Sequence, residues 1–131
     1  MNKITREQAR LVQAGIIGRA LSIIDAKRQD YSGGEDPFTN FRKIESLGVD
    51  GLTAELGALI RLMDKLSRID ILKDKPNMKG EVNENIVDTF ADALNYLCIF
   101  AALCAERHPS LLKQFVDDAF IFQPLMENFI D

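Results

Sequence analysis

The sequence is short of the residue types on which most small active sites are built. Its 131 residues include no tryptophan, two tyrosines, two cysteines and one histidine. That histidine, His108, stands directly before Pro109 at an expected helix end, where a cation or ring N–H meets free carbonyls. Neither a Ser/His/Asp nor a Cys/His nucleophilic site is expected. Cys98 and Cys104 lie six residues apart, which on one helix separates them by about 9 Å along the axis and forbids a bridge. Read as buried free thiols at apolar positions, they fit a reducing compartment. No Walker loop, GxGxxG, HExxH or CxxC occurs, so phosphate cradles, dinucleotide folds and zinc sites lose their usual sequence support.

Long hydrophobic runs are missing too. The longest nearly apolar stretch, Ala93 to Ala105, is 13 residues with Asn95 inside it, against roughly 20 for a membrane span. The first ten residues hold no apolar secretory segment. A cytoplasmic protein with no membrane partner is the expectation. Polybasic tracts are also absent. The formal charge is −4, with 14 Lys/Arg against 11 Asp/Glu in residues 1–80 and 2 against 9 in residues 81–131. Duplex nucleic acid, which is bound mainly through phosphate neutralisation, is therefore not an expected partner, while a local basic site for a small anion stays open.

What is present is a composition typical of one globular domain, 47% apolar and 27% charged. A chain this long can bury roughly two-thirds of its unfolded surface without disulfides or a structural metal. Thr5 and Gln8 have the form of a capping box, and Ala9, Val12, Ile16, Ala20 and Ile23 follow at helical spacing, predicting a helix over about 5–30. Asp36 and Pro37 are placed to open a second helix that runs to Leu47 and stops at Gly48. Asp50 can cap a third, in which Leu52, Leu56, Leu59, Met63 and Leu66 keep the period to about Leu72. The stretch Lys73–Asn83, with Pro76 and Gly80, reads as a loop. From Glu84 a fourth helix presents Ile86, Phe90, Leu94, Leu97 and Ala101 and becomes apolar nearly all round, the mark of a central element. Pro109 ends it and opens a fifth helix to about Phe122, after which Pro124 breaks the chain before a last turn ending at Ile130.

No strand pattern appears, and the expected fold is all-α, a single domain over 1–131 forming a four- to five-helix bundle. The bundle core spans about 5–107. The helix over 109–130 carries Phe115, Phe120, Ile121, Phe122, Leu125, Met126 and Phe129, enough apolar surface either to pack across the bundle or to meet a second copy.

Three groups of polar residues stand where chemistry could be carried. Lys27 and Asp30 continue the apolar stripe of the first helix, with Tyr31 following. They are either a helix end that has run past the core, with Lys27 reaching water, or a cationic and phenolic contact at a pocket mouth. On the third helix Arg61, Lys65 and Arg68 share a stripe with Asp64 beside them, roughly opposite Leu52, Leu59, Met63 and Leu66. A solvated charged face explains them as simply as an anion site. On the fourth helix Asp88, Asp92 and Asn95 share a stripe. Carboxylates at i and i+4 can hold a hard cation such as Mg²⁺, or pair with Arg61, Lys65 and Arg68 across a helix interface, and the two readings weigh evenly.

Taken together, Lys27 with Asp30-Tyr31, Asn40-Phe41, Asp64-Lys65-x-x-Arg68, and Asp88 with Asp92 and Asn95-Tyr96 resemble the nucleotide-modification-associated helical domains of phages and prophages. These in turn resemble the MazG-like all-α nucleoside triphosphate pyrophosphohydrolases. The likeness covers roughly residues 20–100. It implies a MazG-like, oligomeric bundle with a nucleotide in an inter-helix cleft, phosphates met by Lys27, Arg61, Lys65 and Arg68, and base or sugar met by Tyr31 or Tyr96, with Asn40 and Asn95 nearby. It further implies Mg²⁺ on Asp64, Asp88 and Asp92, the metal activating water for attack on a triphosphate. The MazG-like pattern has Glu-x-x-Glu followed by Glu-x-x-Asp, whereas here Asp88 and Asp92 are spaced by four, and Asp64 or Glu55 is the sole acid in the first motif. A non-catalytic nucleotide binder and a structural helical module are the competing expectations.

Overall fold

The structure, a computed structural model, describes residues 2–30, 38–74 and 85–127, with side chains of the first segment described through residue 24. It is all-helical over those residues: α1 (Arg6–Asp30), α2 (Thr39–Glu45), α3 (Ala54–Leu72), α4 (Ile86–Arg107), α5 (Pro109–Ile121) and α6 (Gln123–Glu127). The capping box forms as read, with the Thr5 N–H donating to Gln8 Oε1 at 2.9 Å and the Gln8 N–H to Thr5 Oγ1 at 3.0 Å. Two other helix starts lie later than expected. Thr53, not Asp50, caps α3, its Oγ1 accepting the Leu56 N–H at 3.2 Å, because Gly51 holds the turn between them at φ 78°. Asn85 caps α4 through the Val87 N–H at 2.9 Å. The expected caps Asp36 and Pro37 lie outside the described residues. At the other end of α2, Gly48 leaves in the left-handed region at φ 70°.

α4 is the hub. α1, α3 and α5 each pack on it and α2 packs on α3, while α1 and α3 make no mutual contact among the described residues. The helices therefore form an open array about α4 rather than a closed bundle. α3 and α4 run antiparallel, so that a step of four up α3 is a step of four down α4: Arg61 meets Tyr96 and Lys65 meets Asp92.

The buried core is small-residue packing. Ala20, Ala54, Ala58, Ala91, Ala93, Leu103 and Ala105 are its apolar members, with Thr89 beside them. Alanines at these positions let helix backbones approach closely, and Gly57 does the same for α2, since a Cβ there would stand 2.5 Å from Ile44 Cδ1. Phe38, Phe41, Ile99 and Phe100 pack around Ala54, Ala58 and Leu103.

Over its second half, the face of α3 that meets α4 is not the one its leucine period suggests. Ala54, Ala58, Leu62, Lys65, Ile69 and Leu72 are the buried and half-buried stripe, whereas Met63 is 59% and Leu66 53% exposed. The charged stripe is partly turned inward, while the apolar stripe passes from half-buried at Leu52, Leu56 and Leu59 to exposed at Met63 and Leu66. On α4, Phe90 and Leu97 are likewise exposed. Cys98, expected to be buried, is exposed, and Cys104 is half-buried; both are free thiols. By length and composition α4, with 22 residues, is apolar enough to cross a membrane. The 13-residue run understates it because the helix extends through Asp88 and Asp92, whose charges meet cations on α1 and α3.

Candidate functional site

Arg61, Asp64, Lys65, Ser67, Arg68 and Ile71 line an open depression of about 510 Å³ along α3. Four of these are residues singled out by their spacing, and helical geometry is what gathers them: positions i, i+3, i+4 and i+7 share one side of a helix. Ser67 and Ile71 carried no signal of their own, since a hydroxyl and an aliphatic side chain within a helical period suggest nothing until the depression is seen.

The seam with α4 fixes two of the cations. Lys65 Nζ lies 3.4 Å from Asp92 Oδ2, both side chains about three-quarters covered. The Arg61 guanidinium carbon lies 5.9 Å from the centre of the Tyr96 ring, a cation–π arrangement. Tyr96 in turn meets Phe41 of α2 edge to face, with ring centres 6.4 Å apart. The α4 motif residues thus hold the α3 cations from behind, and Asp92 removes part of the charge that Lys65 would otherwise present.

Asp88 is not part of that group. Its Oδ1 accepts from Arg19 Nη1 of α1 at 2.7 Å, with both side chains nearly half exposed. Asn95 also turns to α1, donating through Nδ2 to the Ala20 carbonyl at 2.9 Å and tying the two helices together. Asn40 is exposed on α2 and does not line the depression. The side chain of Lys27 and all of Tyr31 lie outside the described residues. Of the expected site, the structure brings together Arg61, Asp64, Lys65 and Arg68, with Asp92 and Tyr96 in support.

The arrangement does not suit Mg²⁺. Asp92 is engaged by Lys65 of α3 and Asp88 by Arg19 of α1. No group of three or more Asp, Glu, His or Cys placed to hold an ion occurs among the described residues. Of the two evenly weighed readings of the acidic stripe, the interhelical ion pair is the geometry seen for Asp92.

A second charged cluster escaped the sequence reading. At the junction of α2, α3 and α4, Arg107 Nε lies 2.8 Å from Glu55 Oε2 while its Nη2 reaches Glu45. Arg42 makes a two-point contact with Glu106 at 2.8 and 2.9 Å. Glu45 also accepts the Ala54 N–H at 2.9 Å, at the first turn of α3. That hydrogen bond first, and the Arg107 and Arg42 charges after it, hold the Glu45 carboxyl below its ordinary value. These residues are far apart in sequence, and only the antiparallel register, which sets the end of α4 beside the start of α3, could have announced them. The other Glu55 oxygen, Oε1, is buried without a hydrogen-bond partner. Compared with family models, with curated proteins and with solved structures, the chain matches none.

Proposed function

We propose that the protein binds a phosphate-bearing small molecule of the nucleotide class in the depression on α3, without hydrolysing it. The observation that carries this reading is that Arg61, Lys65 and Arg68, with the Ser67 hydroxyl and Asp64 beside them, line one open depression of about 510 Å³. Guanidinium forks suit two-point contact with phosphate oxygens, and a lysine adds a point charge. The resemblance to the nucleotide-modification-associated and MazG-like domains supports the ligand class. Binding is favoured over the Mg²⁺-dependent pyrophosphohydrolase because cations alone generate no hydroxide at neutral pH, and both acids of the α4 motif are engaged by cations.

The test is a thermal-shift panel of nucleoside triphosphates, monophosphates and cyclic nucleotides, each with and without Mg²⁺, followed by chromatography. A ligand at 100 times its Kd stabilises by about 2.7 kcal/mol. The expected result is a Mg²⁺-independent shift that shrinks in Arg61→Ala and Arg68→Ala, with the ligand recovered intact. Monophosphate and pyrophosphate appearing with Mg²⁺ would restore the hydrolase. The second reading, a structural helical module, is favoured by the ion pairs that cross between helices, and no shift with any ligand would select it.

A further inference from the structure

The described part of the chain carries two apolar faces that the rest of it leaves largely exposed. The first is the outer side of the α3–α4 pair, where Met63 and Leu66 on α3 and Phe90 and Leu97 on α4 stand exposed beside the half-buried Leu59, Leu94 and Ala101. Met63, Leu66, Phe90 and Leu97 are 59, 53, 39 and 48% exposed. The second is the C-terminal arm, in which Leu112, Phe115, Val116 and Ala119 form one stripe of α5, followed by Phe122 and then Leu125 and Met126 of α6. All the large side chains of that arm from Leu112 onward are at least 45% exposed.

The arm does not lie over its own α3–α4 face, since both remain exposed. One residue, His108, separates the end of α4 from the start of α5, and its backbone is extended at φ −132°, ψ 90°. Helix pairs that lie antiparallel need a connection of about two to eight residues. Phe90 lies 19 positions before Pro109, which is about 28 Å down the α4 axis. With so short a connection, the α5 stripe and the face of matching chemistry are left uncovered by each other.

We infer that a second copy of this chain covers both faces, the arm of each copy lying on the outer α3–α4 face of the other in a two-fold dimer. The area is what selects a second copy. Met63, Leu66, Phe90 and Leu97 together with Leu112, Phe115, Val116, Phe120, Phe122, Leu125 and Met126 leave on the order of 1,000 Å² of side-chain surface in water, given about 150–250 Å² for a whole aromatic side chain. Covered together in the exchange, the two surfaces meet the about 800 Å² per partner of a stable interface. A two-fold exchange uses every one of these surfaces twice and leaves no open end.

Sedimentation or light scattering of the full chain at micromolar concentration reads the result directly, with a dimer expected. Met63→Glu and Leu97→Glu on the face, and Phe115→Glu on the arm, each weaken the dimer by at least tenfold while circular dichroism shows unchanged helix content. Leu66→Glu and Leu112→Glu repeat the measurement at neighbouring positions should one of the first set lose helix. Mixing a face variant with an arm variant then decides the mode: the mixed dimer keeps one face–arm contact intact, so dimer reappears in the mixture. A wild-type monomer overturns the inference, as does a monomer that cosediments with phosphatidylcholine–phosphatidylglycerol vesicles, because lipid then covers the faces. An arm variant that stays dimeric, or a mixture that restores nothing, overturns the exchange.

Discussion

The two sides of the α3–α4 pair differ in a way that runs against the usual division of a helix. Along the seam, where the helices touch, the fully or nearly buried residues are Ala54, Ala58 and Leu103, and with them sit Lys65 with Asp92 and Arg61 with Tyr96. Along the outer side, Met63, Leu66, Phe90 and Leu97 stand in solvent. Small residues bring the backbones close, and long polar side chains reach across the edges of the contact with their hydrocarbon stems laid along it. The exposed end of the apolar stripe is a surface suited to packing, and it is not turned to the nearest helix of the same chain.

The comparison breaks most readily at the alanines. Ala58 is 0% exposed against α4, and Ala58→Leu forces three extra carbon atoms into a close helix contact, with an expected loss of about 2–3 kcal/mol in urea unfolding. The same enlargement on the outer side, Ala101→Leu, adds hydrocarbon to a half-buried position and, measured on the monomer at high dilution, changes unfolding by less than about 0.5 kcal/mol. Equal losses at both positions would erase the distinction between the two sides. Next in size is Arg107→Met, which leaves Glu45 and the mostly covered Glu55 without their shared cation. A loss of about 1–2 kcal/mol is expected, below the value for fully buried pairs because Arg107 is itself 48% exposed. Adding Glu55→Gln to Arg107→Met recovers part of that loss, since the stranded charge is then gone.

Much of this architecture is legible without coordinates. The Thr5–Gln8 capping box, the glycine at the end of α2 and the Pro109 boundary between α4 and α5 all rest on interactions within four residues of each other, and the structure has each of them. The assignment of faces is less legible. Leu59, Met63 and Leu66 define the same helical period whether they meet α4 or a different surface, and period alone carries no information about which neighbour is met. The same limit applies to Asp88 and Asp92. Shared spacing placed them on one stripe, yet α1 and α3 approach α4 from different directions, so one carboxylate meets Arg19 and the other Lys65. The Arg107 cluster is the extreme case, a tertiary contact between residues about 50–60 positions apart.

The Lys65–Asp92 pair tests whether the seam is held by charge or by packing. A double-mutant cycle with Lys65→Met and Asp92→Leu is expected to give a coupling of about 0.5–1 kcal/mol, because both groups remain a quarter exposed. A coupling indistinguishable from zero would leave the alanine contacts as the main hold of this seam, and Lys65 available to a bound anion.

The smallest effect sharpens the far end of the same seam through pH. Glu45 has a folded pKa below its ordinary 4.5 because its carboxylate accepts the Ala54 N–H and lies beside Arg107 and Arg42. A carboxyl that binds its proton less well when folded adds stability where it is ionised. Its contribution is complete above the ordinary value and drains away as pH falls through the lower, folded one. In Glu45→Gln the side chain still offers an oxygen to the Ala54 N–H but no longer titrates. The drop in urea midpoint between neutral pH and about pH 3 is therefore expected to be shallower in the variant than in the wild type. Parallel acid limbs in the two proteins would mean that Arg107 is satisfied by Glu55 alone, and the junction of α2 with α3 would then rest on the Phe41, Ile44 and Gly57 packing rather than on charge.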